Sequence, residues 1–352
     1  MLSIRSKPDT LNYSLSLPPI EVASTQAQVT VKLLDGTTEI IEENYSPLNH
    51  FTYLVLKYSL LIDDLLTIDR PKDDLVTIHE QGCRTFTVSI TDADMTVNIA
   101  FKVLKGFYYR QPIDLEFITS TNWLNIAILP QTVRTHQPVY LTAYPGESVT
   151  VKVYCLFEDN TTALLSYATL QALKLQTVDV SAYLVQRNST KKLKQYTVYA
   201  VNSANKIILR KQVFVVEQYN HVVDEFFVFQ NRLGGFDSLV MSGEQKETFK
   251  NETSTAIMQE EYVVEYAGTL SRSVKKNTGY IQSRQHRQLL IDFIFSKQRY
   301  HLLDGAFRAI NLKDPAIDPT KNALNDFDIE FSYQDTMLAY PYIVQAPNFL
   351  KL

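Results

Sequence analysis

The sequence predicts an all-β protein, with tandem antiparallel β-sandwich domains of the Ig-like kind followed by a C-terminal mostly-β domain. Apolar and polar residues alternate over 86–103 and again over 149–157, which is the period of a half-buried strand. Tyr, Phe, Val, Thr and Ile dominate these stretches, and only 10 of the 352 residues are Gly. A chain of this length is long enough for two or three domains.

The first domain is predicted at residues 1–110. Alternation over 28–41 is interrupted at Asp35-Gly36, a pair typical of a tight hairpin because both turn positions need positive φ. A second hairpin is predicted over 85–104, with "TDAD" as its turn. Between them, the first half of 53–66 is predicted as a strand. About seven strands would complete a sandwich near residue 105.

The second domain is predicted at residues 111–218. It contains a strand at 141–144 and the alternating strand at 149–157, which "EDNT" turns back toward Leu164. A further hairpin is predicted over 195–218, with Asn202–Asn205 as the turn. The domain should therefore be a second antiparallel sandwich.

The third domain, predicted at residues 219–352, opens with "EFFVFQNRLGGFDSLVMSGE" at 225–244. Its Gly-Gly pair invites comparison with phosphate-binding loops. A dinucleotide fingerprint needs G-x-G-x-x-G before a helix, and a P-loop needs Lys-Ser/Thr after its last Gly. Neither pattern is present, so we predict a strand–turn–strand element in which Gly234 or Gly235 has positive φ.

The rest of the third domain is predicted to be mostly strands. These lie at 260–268, at 288–303 with Asp304-Gly305 turning into the next strand, and at 327–334. The polar stretch 242–258 predicts a helix or a long loop.

Charge and hydrophobicity exclude several classes of protein. The 34 basic and 38 acidic residues are well mixed and give a net charge of −4, which argues against a nucleic-acid-binding surface. The short basic runs 191–194 and 272–276 are interpreted as solvated loops. No export signal and no membrane-spanning run is recognised, so we expect no membrane insertion. Cys83 and Cys155 are expected to be free buried thiols, although a disulfide between them stays open.

The sequence also predicts no catalytic residue, no cofactor and no metal site, so the protein is not expected to be an enzyme. No nucleophile elbow is present, and the six histidines lack metal-ligand spacing; they are His50, His79, His136, His221, His286 and His301. Asp92 and Asp94 have oxygen ligands suited to calcium, but Asp is also favoured in turns. A pair of glycosidase carboxylates stays open, because their spacing is spatial.

Four stretches of the chain, at 12–49, 86–109, 122–144 and 226–244, resemble uncharacterised virion proteins of phages and prophages of anaerobic gut bacteria. The second contains an "F-x-V-x-x-G" step, the third a "W-L-x…P…Q-P-x-Y-L-T" step, and the fourth an "F-x-N-x-x-G-x-x-D-x-L-x-x-x-G" step. The matching residues are Phe101, Val103, Gly106, Trp123, Leu124, Gln137, Pro138, Tyr140, Leu141, Thr142, Phe229, Asn231, Gly234, Asp237, Leu239 and Gly243.

The resemblance implies a structural component of a phage, of the tail or baseplate, and identifies no active site. It implies a homo-oligomer that contacts other virion proteins and is assembled in the host cytoplasm. Two alternatives remain at this point: a tail module that binds a receptor or host-surface glycan, and a hydrolase domain. The positions of the 21 tyrosines distinguish the first of these, because a ligand platform would gather them on one loop rim.

The C-terminal segment 336–352 is the candidate assembly element. It is apolar, and Pro341 and Pro347 keep it extended because neither residue can donate a ladder hydrogen bond. Its candidate contacts with a neighbouring subunit are Tyr340, Tyr342, Ile343, Phe349 and Leu350. The alternative is that the segment covers its own domain.

Overall fold

The computed structural model describes most of the chain. The described residues are 2–26, 28–46, 54–72, 74–108, 115–127, 130–187, 189–218, 223–257, 263–281, 283–315, 326–334 and 338–340, with the backbone alone for 251–257, 263–271 and 338–340. They fall into two compact units. Unit 1 contains residues 1–219 and 230–237, and unit 2 contains residues 220–229 and 238–352.

The N-terminal part of unit 1 is a β-sandwich. Its elements are β1 (Leu2–Ser6), β2 (Leu11–Tyr13), β3 (Ile20–Ser24), β4 (Val29–Asp35), β5 (Thr38–Tyr45), β6 (Leu54–Leu56), α1 (Ser59–Leu65), β7 (Val76–Ile78), β8 (Cys83–Thr91) and β9 (Thr96–Leu104). A three-stranded sheet has the order β1-β3-β6, and a five-stranded sheet has the order β2-β9-β8-β4-β5. Both hairpins predicted from the alternation are confirmed, as is the strand in the first half of 53–66.

Alternation explains the core of this sandwich. Val29, Val31 and Leu33 on β4 are buried, while the residues between them are half-buried. Phe86, Val88 and Ile90 on β8 repeat the pattern. These rows pack with residues of the other sheet and of α1 in one hydrophobic cluster. Because each large side chain contributes roughly 1.5–3 kcal/mol when fully buried, the rows determine which face of each strand turns inward.

The C-terminal part of unit 1 is a second β-sandwich with its own hydrophobic cluster. Its elements are β10 (Gln131–Arg134), β11 (Tyr140–Ala143), β12 (Val149–Phe157), β13 (Thr162–Leu170), β14 (Gln176–Asp179), α2 (Ala182–Gln186), β15 (Leu193–Val201) and β16 (Ile207–Glu217). The five-stranded sheet has the order β10-β16-β15-β12-β13. The predicted strands and turns at 141–144, 149–164 and 195–218 are confirmed.

One strand of the second sandwich comes from the N-terminal part of the chain. The other sheet of the second sandwich has the order β11-β14-β7, and β7 comes from the part of the chain assigned to the first domain. Two short pairs are also parallel rather than antiparallel: β2 with β9 and β10 with β16. The domain boundaries predicted at 110/111 and 218/219 border residues 109–114 and 219–222, which lie outside the described residues, so they stay predictions.

Unit 2 is built on one eight-stranded sheet with the order β18-β17-β21-β22-β23-β20-β19, in which β24 also pairs with β20. Its elements are β17 (Glu225–Gln230), β18 (Phe236–Met241), β19 (Gln245–Ile257), β20 (Val263–Asn277), α3 (Arg284–Phe295), β21 (Arg299–Leu303), β22 (Ala306–Lys313), β23 (Asp328–Tyr333) and β24 (Leu338–Tyr340). The ends of β17 and β18, joined by the turn Gln230–Asp237, belong to unit 1.

The predictions for 242–258 and for the first half of 288–303 are wrong. The stretch 242–258, predicted as a helix or loop, contains β19, which pairs with β20 from Gln245 to Ile257. Its polar sequence lacks hydrophobic alternation because the side chains of residues 245–250 are exposed or half-buried on both faces. The first half of 288–303, predicted as a strand, is α3. Leu289, Leu290 and Phe293 are buried at helical spacing, and the Ser283 side chain caps the helix by accepting from the backbone N–H of His286.

Candidate functional site

Parts of the last three sequence stretches that carry the resemblance meet in unit 1. The backbone N–H of Phe107, next to Gly106, donates to the carbonyl of Arg232 at 2.6 Å. The backbone N–H of Leu124 donates to the carbonyl of Thr142 at 2.7 Å. The Asn231 side chain donates to the carbonyl of Leu124 at 2.9 Å. Residues more than 100 positions apart in the chain are therefore joined at one place.

Glycine is required at this junction because the backbones approach closely. Gly234 has φ +79°, and a Cβ there would lie 2.2 Å from the Lys105 carbonyl oxygen. A Cβ on Gly235 would lie 2.1 Å from the Leu124 carbonyl oxygen. The Gly-Gly pair is a turn between two strands, as predicted, and Gly234 is the residue with positive φ.

Asn231 fixes the conformation of that turn. Its Oδ1 accepts from the backbone N–H of Leu233 at 2.8 Å and of Gly235 at 3.1 Å. Its Nδ2 donates to Asp237 Oδ2 at 2.7 Å. A side-chain amide that replaces backbone partners in this way locks the loop while leaving its own polar atoms satisfied.

Asp237 is a carboxylate at the centre of this junction and is only 5% exposed. Besides Asn231, it accepts from Asn125 Nδ2 at 2.8 Å and from the backbone N–H of Ile126 at 3.0 Å. Three donors converge on two oxygens, and hydrogen bonds to a charged acceptor are stronger than neutral ones. This arrangement holds the carboxylate in place.

A row of polar side chains continues from Asp237 through unit 1. Asn125 Oδ1 accepts from the backbone N–H of Thr142 at 3.0 Å. The Thr142 and Thr177 hydroxyls lie 2.8 Å apart, and Thr177 Oγ1 lies 2.8 Å from His79 Nε2. We call this set the buried polar chain; its members are His79, Thr177, Thr142, Asn125, Asn231 and Asp237, all buried.

The buried polar chain connects the sheet β11-β14-β7 with the turn Gln230–Asp237. Thr142 lies on β11, Thr177 on β14, and His79 directly follows β7. The Thr142 hydroxyl also accepts from the backbone N–H of Phe236 at 3.2 Å. Sequence reasoning identified Thr142, Asn231 and Asp237 but missed Asn125 and Thr177. Only the adjacency of Asn125 to the Trp123-Leu124 step gave a signal for it.

His79 is a neutral histidine in this environment. Burial lowers the pKa of its imidazole from 6.5 to about 4, with a small opposing effect of Asp69. Its ring centre lies 6.0 Å from that of Phe236. Protonation would place a charge among apolar and uncharged partners, which is costly in a buried site.

A second buried cluster lies in unit 2 around His301, which is fully buried. Its Nδ1 lies 2.8 Å from the Tyr333 hydroxyl, and its Nε2 lies 2.6 Å from Glu225 Oε2. The ring stacks on Phe227 with centroids 4.7 Å apart. Burial raises the pKa of Tyr333 to about 12, so its hydroxyl stays protonated and serves as a hydrogen-bonding group rather than a nucleophile.

The basic run 272–276 is not a solvated loop, and that prediction is wrong. It lies within β20. Lys276 is only 1% exposed, and its ammonium donates to the Val223 carbonyl. Burial lowers the pKa of Lys276. Arg272 instead pairs with Glu247, with the closest contact at 2.7 Å, and lies 5.2 Å from the centre of the Tyr333 ring.

The cysteines and the acidic turn have structural roles. Both thiols are free; Cys155 is buried and Cys83 is half-buried, and burial raises the pKa of each to about 11. Asp92 Oδ1 accepts from the backbone N–H groups of Asp94 and Met95, each at 3.0 Å, so it stabilises its own turn. Within the described ranges, no three His, Cys, Asp or Glu side chains are grouped so that they could hold a metal ion.

The candidate assembly contacts lie at the end of the chain. Tyr340 is the last residue of β24, whose backbone pairs with β20 so that Tyr340 lies opposite Gly268. The segment therefore begins as a strand of its own sheet. Tyr342, Ile343, Phe349 and Leu350 lie outside the described residues, so their role stays a prediction. In the part of the chain that is described, no helix combines the length and apolar character needed to cross a membrane.

Comparison with known proteins identifies no family. No family model and no curated protein matches the chain. Among solved structures, the titin fragment A168–A169 is 11% identical, with 62% of this chain and 99% of that chain covered and a TM-score of 0.27. Invasin, a bacterial integrin-binding protein, is 10% identical, with coverages of 79% and 56% and a TM-score of 0.23. The three N-terminal domains of the outer capsid protein Hoc of bacteriophage RB49 are 9% identical, with coverages of 62% and 70% and a TM-score of 0.17. At these identities the likeness concerns the fold alone.

The glycine contacts predict a large difference between two substitutions. Gly234→Ala should destabilise unit 1 by at least about 3 kcal/mol, because it adds overlap with the Lys105 carbonyl to the cost of positive φ. Gly36→Ala is the matched control: φ is +59° and no atom lies within 4 Å, so about 1 kcal/mol is expected. Urea unfolding followed by the fluorescence of Trp123, the single tryptophan, measures both. Equal losses would contradict the close approach.

The lowered pKa of His79 predicts that the free energy of unfolding of unit 1 depends on pH. Its folded-state pKa of about 4 lies below its ordinary value of 6.5, so the unfolded chain binds more protons between these values. The contribution of neutral His79 to stability is complete above pH 6.5 and is lost as the pH falls toward about 4. Between about pH 7 and about pH 5, His79 should account for a loss of about 2 kcal/mol in the stability of unit 1.

His79→Gln tests this contribution, because Gln keeps a polar side chain and does not titrate. Urea unfolding monitored by Trp123 should show a smaller drop between the two pH values in the variant than in the wild type. The same drop in both proteins would assign the pH dependence to other groups.

Proposed function

We propose that this chain is a non-enzymatic structural protein of a phage or prophage particle, a tail or baseplate component that acts by oligomeric assembly. The resemblance to virion proteins supports it. Several residues that carry the resemblance organise the junction in unit 1, among them Gly234, Asn231 and Asp237. Motif residues that serve internal packing are consistent with a structural role for the protein.

The positions of the tyrosines distinguish a structural protein from a ligand-binding module. The buried tyrosines are Tyr13, Tyr58, Tyr108, Tyr140, Tyr144, Tyr196 and Tyr333. The exposed ones that the structure describes are Tyr154 on β12, Tyr183 on α2 and Tyr280 ahead of α3. Tyrosines that serve cores contribute to stability, whereas a glycan platform needs several rings side by side. This distribution favours the scaffold over the receptor- or glycan-binding alternative.

The buried clusters favour the same function over a hydrolase. In unit 1 the Asp237 carboxylate is occupied by three donors. In unit 2 the His301 imidazole is held by Glu225 and Tyr333 and enclosed by Phe227. Fully satisfied networks of this kind specify one packing arrangement and keep subunits uniform. In this proposal the partners are further copies of the chain and other virion proteins, and assembly takes place in the host cytoplasm.

Particles from the strain that carries the gene test the proposal. After gradient purification, mass spectrometry should detect this chain at a fixed ratio to other virion proteins. Deletion of the gene should give particles with incomplete tails by negative-stain electron microscopy. Complete particles that lack the chain would refute the structural role. Complete tails that fail to adsorb to cells would support the receptor-binding alternative instead.

The C-terminal segment gives a second prediction. Removing residues 341–352 leaves β24 and its pairing with β20 in place. The truncated chain should keep the melting temperature of the full chain and lose association with its partners in the particle, because the apolar contacts Tyr342, Ile343, Phe349 and Leu350 are gone. Calorimetry and particle incorporation provide the two readouts. A lower melting temperature of unit 2 would show that the segment covers its own domain.

A further inference from the structure

The five-stranded sheet of the second sandwich ends at β13, Thr162–Leu170. In the described part of the chain, no strand pairs with its outer edge. A strand at a sheet edge presents unpaired N–H and C=O groups that can pair with another chain. Natural edges are usually protected by charged residues or by proline. The nine residues of β13, "TALLSYATL", include no Asp, Glu, Lys, Arg or Pro.

The other long edge strands carry such protection. β5 closes the five-stranded sheet of the first sandwich and contains Glu39, Glu42 and Glu43. β19 closes the sheet of unit 2, and its sequence "QKETFKNETSTAI" has four charged residues in its first eight positions. An uncharged edge is therefore a particular property of β13 among the long edge strands that the structure describes.

Side chains on both faces of β13 are incompletely covered. Leu164 is 58% exposed, and its antiparallel neighbour Tyr154 on β12 is 43% exposed. On the opposite face, Ala163 and Leu165 are only half-buried, although their partners Cys155 and Val153 on β12 are fully buried. The hydrophobic core therefore continues to this edge and is open there.

The usable part of the edge is short. The ladder between β12 and β13 is regular from Thr162 to Ser166 and then shifts register around Tyr167. The Tyr167 hydroxyl donates to the carbonyl of Asp179 at 2.9 Å, which draws that residue toward the interior. A bulge of this kind ends regular pairing, so an incoming strand would align with residues 162–166.

We propose that residues 162–166 form a self-association edge, at which two copies of this chain pair antiparallel about a twofold axis at Leu164. Leu164 then lies opposite Leu164 of the partner subunit, and Thr162 lies opposite Ser166 of the partner subunit. On the inner face, Ala163 meets Leu165 of the partner subunit, which covers the open end of the core. The two five-stranded sheets become one continuous sheet.

The absence of charged residues on this edge favours a second copy of the chain as the occupant. Twofold pairing brings two identical segments together, so a charged residue on the edge would lie close to the same charge on the partner subunit. Like charges on opposite strands destabilise a sheet. On β5 the same operation would bring two rows of glutamates together. On 162–166 it brings together only Leu, Thr, Ser and Ala. This inference deepens the proposed assembly function by naming one contact, and it rests on that function only for its biological purpose.

Charge reversal at the axis tests the pairing on the full chain. Sedimentation velocity across a concentration series should show a reversible dimer for the wild type. Leu164→Glu and Leu164→Lys should each weaken association by at least about tenfold, because two like charges meet at the axis. An equimolar mixture of the two variants should recover the dimer, because Glu then faces Lys. Leu164 is exposed, so neither substitution places a charge in the core.

Leu60→Glu is the matched control. Leu60 is 72% exposed on α1 of the same unit, and an acidic residue in the first turn of a helix is favourable. This variant should associate like the wild type. A monomeric wild type, undiminished association of both Leu164 variants, or no recovery in their mixture would each overturn the proposal. Since the measurement needs no particle, a dimer of a chain that is absent from particles would refute the proposed function and leave this interface standing.

Discussion

The junction in unit 1 is organised around one buried carboxylate. A charge removed from water must be matched by donors, and Asp237 finds them on Asn125, on the Ile126 backbone and on Asn231. Each donor must be held at the correct distance, which requires the surrounding strands and turn to take one arrangement. Because breaking such a network leaves an uncompensated buried charge, the arrangement is strongly preferred over alternatives that would pack equally well.

Close backbone contact and hydrogen bonding reinforce each other around Asp237. Gly234 and Gly235 bring the turn against the carbonyls of Lys105 and Leu124, and only then can the Asn231 amide reach Leu124. Thr142 and Thr177 extend the polar contacts to the sheet that contains β7. A strand from the first part of the chain and a turn from the last part thus become components of the second sandwich.

In the proposed function, association with other chains takes place at the edges of the sheets and not at the two buried polar clusters. The polar groups of the buried polar chain and of the His301 cluster are engaged with one another. Association with other chains must then use surfaces that folding leaves open. β13 is such a surface, because its core-facing residues Ala163 and Leu165 stay half-buried and no charge protects its backbone. In the proposed dimer, association completes the sheet that ends at β13.

The sequence by itself determined the hairpins of unit 1 and the turn at Gly234. Alternation of period two is a local property, and Asp-Gly or Gly-Gly turns need only the φ preferences of their own residues. Tertiary structure decided the remainder. α3 was misread because a short apolar run suits a buried strand as well as a helix. β19 was missed because residues 245–250 are exposed or half-buried on both faces and so carry no hydrophobic row. The burial of Lys276 could not be predicted because its partner, the Val223 carbonyl, lies 53 residues away in the chain. Hydrogen-bond partners that are far apart in the chain produce no periodic pattern in the sequence. The partners of Asp237 and His79 could therefore be identified only from the folded structure.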